Sequence, residues 1–482
     1  MMTREEKYQE ESNVLFESFL ERYFYAEFRG EVGTPHGRAI ELFIRGVCPS
    51  NCKYCYLIKH SKELYPLDCQ DEKTILTNLR SFCEWYIEKK FKTNIVFFTG
   101  EIVRSGLLFK ILDVFLGYFN DKTQPYRPRD IICPENCDFI NDAALTEKMQ
   151  QYIDKFKEID IQFALSLSVD GKMMDVNRDK EHSDEYYKRL SDFADRNFFG
   201  FHPMVSAFNI GKWKENFDWW TKSGEIAKAQ GNYLMMLEVR DNNWTDEAVN
   251  QYLDFLNYVI DEEYKKYDDD KLAFATRVFK HRNILSYYDN IGFGATYGGG
   301  SDYDVAGLSC SVQKNLCIRL GDMAIVPCHR TSYEQFVTGF FKRDENNKII
   351  GYECKNLEAL IAVYNWNKDS SPWCCDCDVK YWCPGPCLGS NFESSGDMFK
   401  PPETVCKLFH ARSAFLLMKY EEMGILDCAE KNNLFSPREK LIYENYKRKL
   451  RSGMQHYDKI LRDAIDAEET EGGRASTVRV KS

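Results

Sequence analysis

The chain has 482 residues, of which 44% are hydrophobic and 15% aromatic, as expected of a packed globular protein with two or three domains. Its formal net charge of −11 disfavours a general nucleic-acid binder, which would need a basic face. No N-terminal apolar segment looks like a secretion signal, and no run approaches the roughly 18 apolar residues of a membrane span. Since 18 cysteines occur without a secretion signal, the sequence indicates a soluble cytoplasmic protein whose cysteines bind metal rather than form disulfides.

Strand-like segments alternate with helical ones after a charged, helical N-terminal stretch. Predicted strands lie at about 38–46, 94–98, 130–133, 161–169, 201–208 and 233–240. Helices are predicted at about 71–91, 143–157, 183–199 and 212–230, and from Thr245 or Asp246 onward. Such alternation predicts parallel strands with right-handed crossovers. Because six units are fewer than the eight of the usual barrel, the expected fold is α/β, an open, partial (β/α)6 TIM-like barrel.

A group of three cysteines follows the first strand. Cys48, Cys52 and Cys55 have C-x₃-C-x₂-C spacing. Three thiolates on one short loop can hold three irons of a [4Fe–4S] cluster and leave the fourth open to a cofactor or substrate. Zinc is the main alternative metal, but a structural zinc site needs four ligands, and no His or Cys follows at finger spacing. Three unrelated buried thiols are the remaining alternative.

Two further polar turns follow predicted strands, Thr99-Gly100-Glu101 after the second and Ser168-Val169-Asp170-Gly171 after the fourth. Active sites of barrels of this kind lie on the loops that follow the carboxyl ends of the strands. We therefore expect both turns and the cysteine loop to converge on one rim.

A glycine-rich segment at 292–300 interrupts the alternation and is interpreted as a hinge or linker. Beyond it the cysteines are closely spaced, and the sequence becomes helical again from about 404 to 470. We predict four parts: an N-terminal helical extension (1–37), the barrel (38–290), a cysteine-rich domain (291–420), and C-terminal helices with a mobile tail (421–482).

The cysteine loop, with an aromatic residue at Tyr54, resembles the signature of radical S-adenosylmethionine (SAM) enzymes. The resemblance implies a [4Fe–4S] cluster on the three cysteines, with SAM bound at its open iron and Tyr54 at the cofactor site. The turn at 99–101 resembles the family's Gly-Gly-Glu motif, so Gly100 and Glu101 would meet the methionyl ammonium. Thr99 departs from the motif's first glycine.

The second turn resembles the Ser-x-Asp-Gly turn of the subfamily that modifies peptides. By this resemblance Ser168 would lie near the ribose of SAM, and Arg178 is a candidate for its carboxylate. Sulfatase-maturing relatives carry Asp directly after the auxiliary cysteine that corresponds to Cys328. Here His329 follows instead, which weakens a formylglycine assignment and makes His329 a candidate base.

The C-terminal cysteines resemble a SPASM domain, the auxiliary-cluster module of that subfamily. By analogy one auxiliary cluster would bind Cys310, Cys317, Cys328 and Cys387. The other would bind Cys374, Cys377, Cys383 and Cys406, with Cys375 open as an alternative to Cys374. The resemblance therefore implies three [4Fe–4S] clusters in all, two of them fully ligated by cysteine. A zinc-ribbon arrangement is the alternative for these cysteines.

The predicted activity is that of a radical SAM oxidoreductase that matures a ribosomally made precursor peptide. It would abstract a hydrogen atom and leave an oxidised product, such as a thioether or other crosslink, or a dehydrogenated residue. A flavodoxin- or ferredoxin-type donor would supply electrons, and neither membrane nor nucleic acid is an expected partner. The 37 residues before Arg38 are too few for the winged-helix leader-binding domain of some relatives. Dehydrogenation of a small molecule and a non-catalytic iron–sulfur protein are the alternative functions.

Overall fold

The computed structural model describes residues 3–31, 39–65, 71–201, 203–222, 236–237, 243–279, 311–313, 315–380, 383 and 387–450. The chain divides into two units, one of residues 1–168 with 311–366 and one of residues 169–310 with 367–482. The predicted linker at 292–300 and Cys310 lie outside the described residues. The domain limits given above remain predictions.

One sheet of eight strands dominates the first unit, in the order β10-β9-β8-β7-β1-β2-β3-β4. These strands are β1 (Ala39–Arg45), β2 (Asn94–Thr99), β3 (Asp130–Glu135), β4 (Gln162–Leu167), β7 (Leu316–Arg319), β8 (Ala324–Val326), β9 (Gly339–Arg343) and β10 (Ile349–Cys354). Strands β1 to β4 are parallel, β7 also runs parallel to β1, and β8 to β10 continue antiparallel. The predicted mixed α/β fold with a parallel-strand sheet is thus confirmed.

The helices of the first unit cover or flank this sheet. They are α1 (Arg4–Leu20), α2 (Ala26–Phe28), α3 (Tyr56–Leu64), α4 (Glu72–Glu88), α5 (Leu107–Phe119), α6 (Ala143–Glu158) and, late in the chain, α11 (Leu357–Asn365). Helix α4 begins where predicted, because Asp71 accepts a hydrogen bond from the Thr74 backbone N–H at 2.8 Å and so caps the helix.

The N-terminal helix α1 covers the edge strand β10. Gln9 donates to the Cys354 carbonyl oxygen at 2.7 Å, and Asn13 accepts from the Cys354 N–H at 2.8 Å. The hydroxyls of Tyr25 and Tyr352 hydrogen bond at 2.7 Å just beyond. An exposed strand edge presents unpaired backbone groups that invite aggregation, so α1 protects this sheet.

The second unit is mainly helical. Its helices are α7 (Asp184–Asn197), α8 (Trp213–Lys222), α9 (Asp246–Tyr264), α10 (Lys271–Phe279), α12 (Leu388–Ser395), α13 (Glu403–Glu422), α14 (Ile425–Lys431) and α15 (Pro437–Asn445). Strands β5 (Met204–Val205) and β6 (Met236–Leu237) pair with each other in parallel.

Strand β5 is shorter than the predicted 201–208. It ends at Val205 because Asn209 closes a turn, accepting from the Ser206 N–H at 2.8 Å and donating to the Met204 carbonyl at 2.6 Å. The remainder of the predicted strand at 233–240 lies outside the described residues. Among the helices described, none has the length and apolar character needed to cross a membrane.

Candidate functional site

The three-cysteine loop follows β1 directly and leads into helix α3. All three thiols, of Cys48, Cys52 and Cys55, are half-buried, and the Cys55 N–H donates to the Cys52 carbonyl at 3.0 Å. Burial raises the pKa of the Cys55 thiol, and the nearby Cys48 thiolate raises it further. The loop therefore brings at least these two sulfurs together at the end of a central strand, where Tyr54 is also half-buried.

The turn after β2 is hydrogen-bonded to this loop. Gly100 N–H donates to the Arg45 carbonyl at 2.7 Å, and Glu101 N–H donates to the Val47 carbonyl at 3.2 Å. A Cβ on residue 100 would lie 2.0 Å from the Val47 carbonyl oxygen and 3.0 Å from Cys48 Cβ. Only glycine allows so close an approach. Packing against Val47 thus requires glycine at the second position of the motif, whereas the first position accommodates Thr99.

Glu101 lies buried among other acidic side chains at the ends of β2 and β3. Its carboxylate accepts from the Arg104 N–H at 2.7 Å. Burial raises the pKa of neighbouring Glu135 to about 8, and the charges of Glu101 and Asp138 raise it as well. This region is therefore buried and acidic, and an ammonium group would be favoured beside the Glu101 carboxylate. Glu135 was not among the predicted site residues.

Ser168 belongs to the same rim of the first unit. Its N–H donates to the Glu135 carbonyl at 2.7 Å, which continues the ladder between β3 and β4 into the turn. The side chain is half-buried. The structure thus brings the ends of β3 and β4 together at Ser168, and its contact with the ribose remains a prediction.

The rest of this turn, in the second unit, organises that unit's own packing. Arg178 donates to both carboxylate oxygens of Asp170 at 2.9 Å, and both side chains are buried. The Asp170 carbonyl oxygen accepts from Asn216 at 2.8 Å and from Trp220 at 3.0 Å. Gly171 has φ +113°, and a Cβ there would lie 2.4 Å from Asn216 Oδ1. Arg178 therefore has a structural partner, and its contact with the SAM carboxylate remains a prediction.

A second cysteine group, Cys317 and Cys328, lies on β7 and just after β8 of the first unit. Cys317 pairs with Glu41 across β7 and β1, and burial together with the Glu41 and Cys328 charges raises the pKa of the Cys317 thiol. One oxygen of Glu41, Cys328 Sγ and a His329 ring nitrogen all lie within 4.8 Å of one another. Of the other two predicted ligands of this cluster, Cys310 lies outside the described residues, and Cys387 directly precedes α12 in the second unit.

His329 is held on three sides in this group. Its Nδ1 lies 3.3 Å from a Glu41 carboxylate oxygen and 3.7 Å from Cys328 Sγ. Its ring stacks on Phe98 of β2 with 3.5 Å between centroids. Glu41 is only 2% exposed, and Asn315 donates to its other oxygen at 2.9 Å. Glu41 could have been identified from the sequence, because it is the one charged residue inside the apolar run 39–44.

Four cysteines converge in the second unit. Burial raises the pKa of the Cys406 thiol to about 12, and the charges of Cys383, Cys374 and Cys377 raise it in turn. The Cys377 N–H donates to the Cys374 carbonyl at 3.0 Å, which closes the first turn of the group. A convergent set of four thiols, including Cys374 of the adjacent pair, fits a [4Fe–4S] cluster. The same donors would also accept zinc.

Comparison with curated proteins finds a relative of this chain. The radical SAM cyclopropyl synthase TigE of Paramaledivibacter caminithermalis is 21% identical over 397 residues, which are 77% of this chain and 72% of TigE. The resemblance to the radical SAM enzymes is confirmed. No protein-family model matches the chain.

Solved structures with a similar fold were also found. Native anSMEcpe with bound AdoMet aligns with a TM-score of 0.50 at 12% identity, covering 82% of this chain and 99% of that one. A hexahistidine-tagged form with bound AdoMet also has a TM-score of 0.50 at 12% identity, covering 85% and 98%. A native form with AdoMet and the Cp18Cys peptide has a TM-score of 0.49 at 11% identity, covering 82% and 99%. For the two structures with a TM-score of 0.50, the likeness shows the fold.

Proposed function

We propose that this radical SAM enzyme oxidises a residue of a ribosomally made precursor peptide. The contact that supports this most is the approach of Gly100 to Val47, which holds the Glu101 turn against the cysteine loop. Cys48, Cys52 and Cys55 would hold a [4Fe–4S] cluster with SAM at its open iron, and this pair would supply the radical chemistry that removes a hydrogen atom from an unactivated C–H bond. A low-potential donor of the flavodoxin or ferredoxin type would deliver the electron that this requires.

Several residues are proposed to bind SAM, each at a different part of the cofactor. Glu101 would bind the methionyl ammonium through a charge-assisted hydrogen bond, beside Glu135, whose raised pKa keeps its carboxyl mainly protonated near neutral pH. Tyr54, Ser168 and Arg178 remain proposed contacts of the same cofactor. Burial of the pocket around Glu101 would keep water and stray hydrogen donors away from the radical.

The product is proposed to be oxidised because cysteines for two further clusters follow the barrel. After hydrogen abstraction the substrate must lose one more electron and one proton to form a crosslink or a double bond. Fully cysteine-ligated clusters have no open iron, so outer-sphere electron acceptance suits them. His329, fixed by Glu41 and Phe98, is the proposed proton acceptor. Among oxidised products, the name of TigE favours closure of a carbon–carbon bond.

Peptide maturation is supported by the Ser168–Gly171 turn and by the SPASM-like cysteine spacing. It is tested by co-expressing the chain with each short peptide encoded beside it and measuring peptide masses. One peptide should become two hydrogen atoms lighter per modification, and should keep its mass when the partner is the Cys52→Ala variant. If 5′-deoxyadenosine forms but every peptide keeps its mass, the substrate is a small molecule instead. If iron is bound but no 5′-deoxyadenosine forms, the protein is a non-catalytic iron–sulfur protein.

A further inference from the structure

A histidine side chain contacts the cysteine loop of the second unit. His410 lies on α13, and its Nε2 is 3.3 Å from Sγ of Cys377, which is within the distance of an N–H···S hydrogen bond. The side chain is exposed, so its other ring nitrogen can accept a hydrogen bond from water. Nε2 can then carry the hydrogen, and the ring can donate it to the Cys377 sulfur.

The position of His410 on α13 connects two of the four cysteines. Cys406 precedes His410 by four residues, so the two side chains lie on the same face of the helix. Cys377 belongs to a separate loop, in which its N–H donates to the Cys374 carbonyl at 3.0 Å. The contact between His410 and Cys377 therefore brings the helix face of Cys406 against this loop. A cluster that binds both cysteines requires this arrangement.

The surrounding distances favour a hydrogen bond over metal ligation by His410. A single zinc ion holds its ligand atoms at about 2.0–2.3 Å, so any two of them lie less than about 4.6 Å apart. Within the described part of the chain, no third His, Cys, Asp or Glu ligand atom lies within 4.8 Å of both Cys377 Sγ and His410 Nε2. In a [4Fe–4S] cluster each iron takes one protein ligand, and an imidazole this close to Cys377 would compete for the same iron. A hydrogen bond to the sulfur avoids this competition.

We propose that His410 donates a hydrogen bond to Cys377 when this thiolate binds the auxiliary cluster, and that the bond raises the reduction potential of the cluster. Reduction adds negative charge to the cluster and its sulfur ligands, and a hydrogen bond becomes stronger when its acceptor is more negative. The reduced state is therefore stabilised more than the oxidised state. This rests on the proposed function for the presence of the cluster, and it adds a residue that adapts the cluster to accept electrons.

The test is a redox titration of the reconstituted full-length enzyme at a single pH, followed by electron paramagnetic resonance. The signal of this cluster is the one that disappears in Cys377→Ala. His410→Phe keeps a ring of similar size but has no N–H. We expect the ratio of reduced to oxidised cluster at a fixed potential to fall about tenfold, a shift of about 59 mV to lower potential. His410→Gln is the matched control, because its amide can still donate to the sulfur, and its ratio should stay within about threefold of the wild-type value.

A second measurement distinguishes a hydrogen bond from ligation. In wild-type enzyme grown with ¹⁵N-labelled histidine, pulsed electron paramagnetic resonance of this cluster should show a weak nitrogen coupling that is lost in His410→Phe. A strong coupling, as expected of a nitrogen bound to iron, would show that His410 is a ligand and would overturn the proposal. A His410→Phe enzyme with full iron content and the wild-type potential would overturn it as well.

Loss of this cluster in His410→Phe would leave the decision to His410→Gln. If His410→Gln retains the cluster at the wild-type potential, donation to the sulfur is the property that matters, as proposed. If it is equally poor in iron, the imidazole is needed for assembly and the proposal fails. A wild-type protein without iron at these cysteines would instead contradict the proposed function, and the wild-type iron count and spectrum show this before any variant is compared.

Discussion

A Cβ at Gly100 would lie 2.0 Å from the carbonyl oxygen of Val47, so the turn after β2 and the cysteine loop after β1 can approach only if residue 100 is glycine. Hydrogen bonds from Gly100 and Glu101 to the loop backbone fix the two segments in register. This contact holds the proposed cluster loop and the proposed ammonium-binding carboxylate together.

Gly100→Ala should therefore disrupt the cysteine loop. A Cβ would displace backbone atoms rather than a flexible side chain, and overpacking of this kind costs about 1–3 kcal/mol of stability. We expect loss of about four irons per chain and a decrease of more than about 100-fold in 5′-deoxyadenosine formation. Iron analysis measures the first quantity, and a SAM cleavage assay measures the second.

Gly117→Ala is the control. Nothing lies within 4 Å of a Cβ at this position of α5, so the higher helix propensity of alanine should raise stability by about 0.5–1 kcal/mol. Wild-type iron content in Gly100→Ala would contradict this account.

Arg178→Met should destabilise the second unit, because it leaves Asp170 buried without the guanidinium that binds both of its oxygens. Breaking a buried ion pair on one side costs about 3–5 kcal/mol, which urea unfolding would measure. Arg189→Met, on the exposed face of α7, is the control and should change stability by less than about 0.5 kcal/mol. If the urea midpoint of Arg178→Met stays at the wild-type value while SAM affinity falls, cofactor binding is the main role of Arg178.

Glu135→Gln should change how stability depends on pH. Burial and the Glu101 charge raise the pKa of Glu135 from its ordinary 4.5 to about 8. Between these values the folded protein retains a proton that the unfolded chain releases, so the stability contributed by Glu135 falls as pH rises through this window and is lost above it. Glutamine does not titrate. From pH 6 to pH 8 the variant should therefore gain on the order of 2 kcal/mol relative to wild type.

Urea unfolding at the two pH values checks this difference. Glu158→Gln, which changes an exposed carboxyl of α6, should alter stability by less than about 0.5 kcal/mol at both pH values. A wild-type pH dependence that persists unchanged in Glu135→Gln would show that other groups cause it.

His329→Gln should uncouple the two halves of the proposed reaction. Hydrogen abstraction does not need a proton acceptor, but loss of the second proton does, so 5′-deoxyadenosine should still form while peptide product falls about 10²–10⁴-fold. Chromatography of both products measures the ratio. His60→Gln is the control, since His60 pairs with the exposed carboxylate of Glu63. Equal yields of product from His329→Gln and wild type would exclude His329 as the base.

The sequence allowed the first four strands and helices α4, α6 and α7 to be predicted because each has a strong local signal, whereas α3 and α5 were not predicted. Strand β1 is an apolar run, and Asp71 is a standard helix cap. The turns after β2 and β4 were located for the same reason, since a polar glycine-containing turn ends each strand.

Long-range pairing was not predictable in this way. No local pattern indicates that β7 joins β1 in parallel and so places Glu41 opposite Cys317. The pairing of Arg178 with Asp170 is similarly invisible, because an arginine near an acidic turn fits both an ion pair and a ligand contact.

The most direct test of the central claim is anaerobic reconstitution followed by reduction in the presence of SAM. A chain that holds three [4Fe–4S] clusters and binds SAM should contain about 12 irons and form 5′-deoxyadenosine. Cys52→Ala should lose the nucleoside product while retaining about eight irons. Zinc in place of iron, or 5′-deoxyadenosine formation that survives in Cys52→Ala, would contradict it.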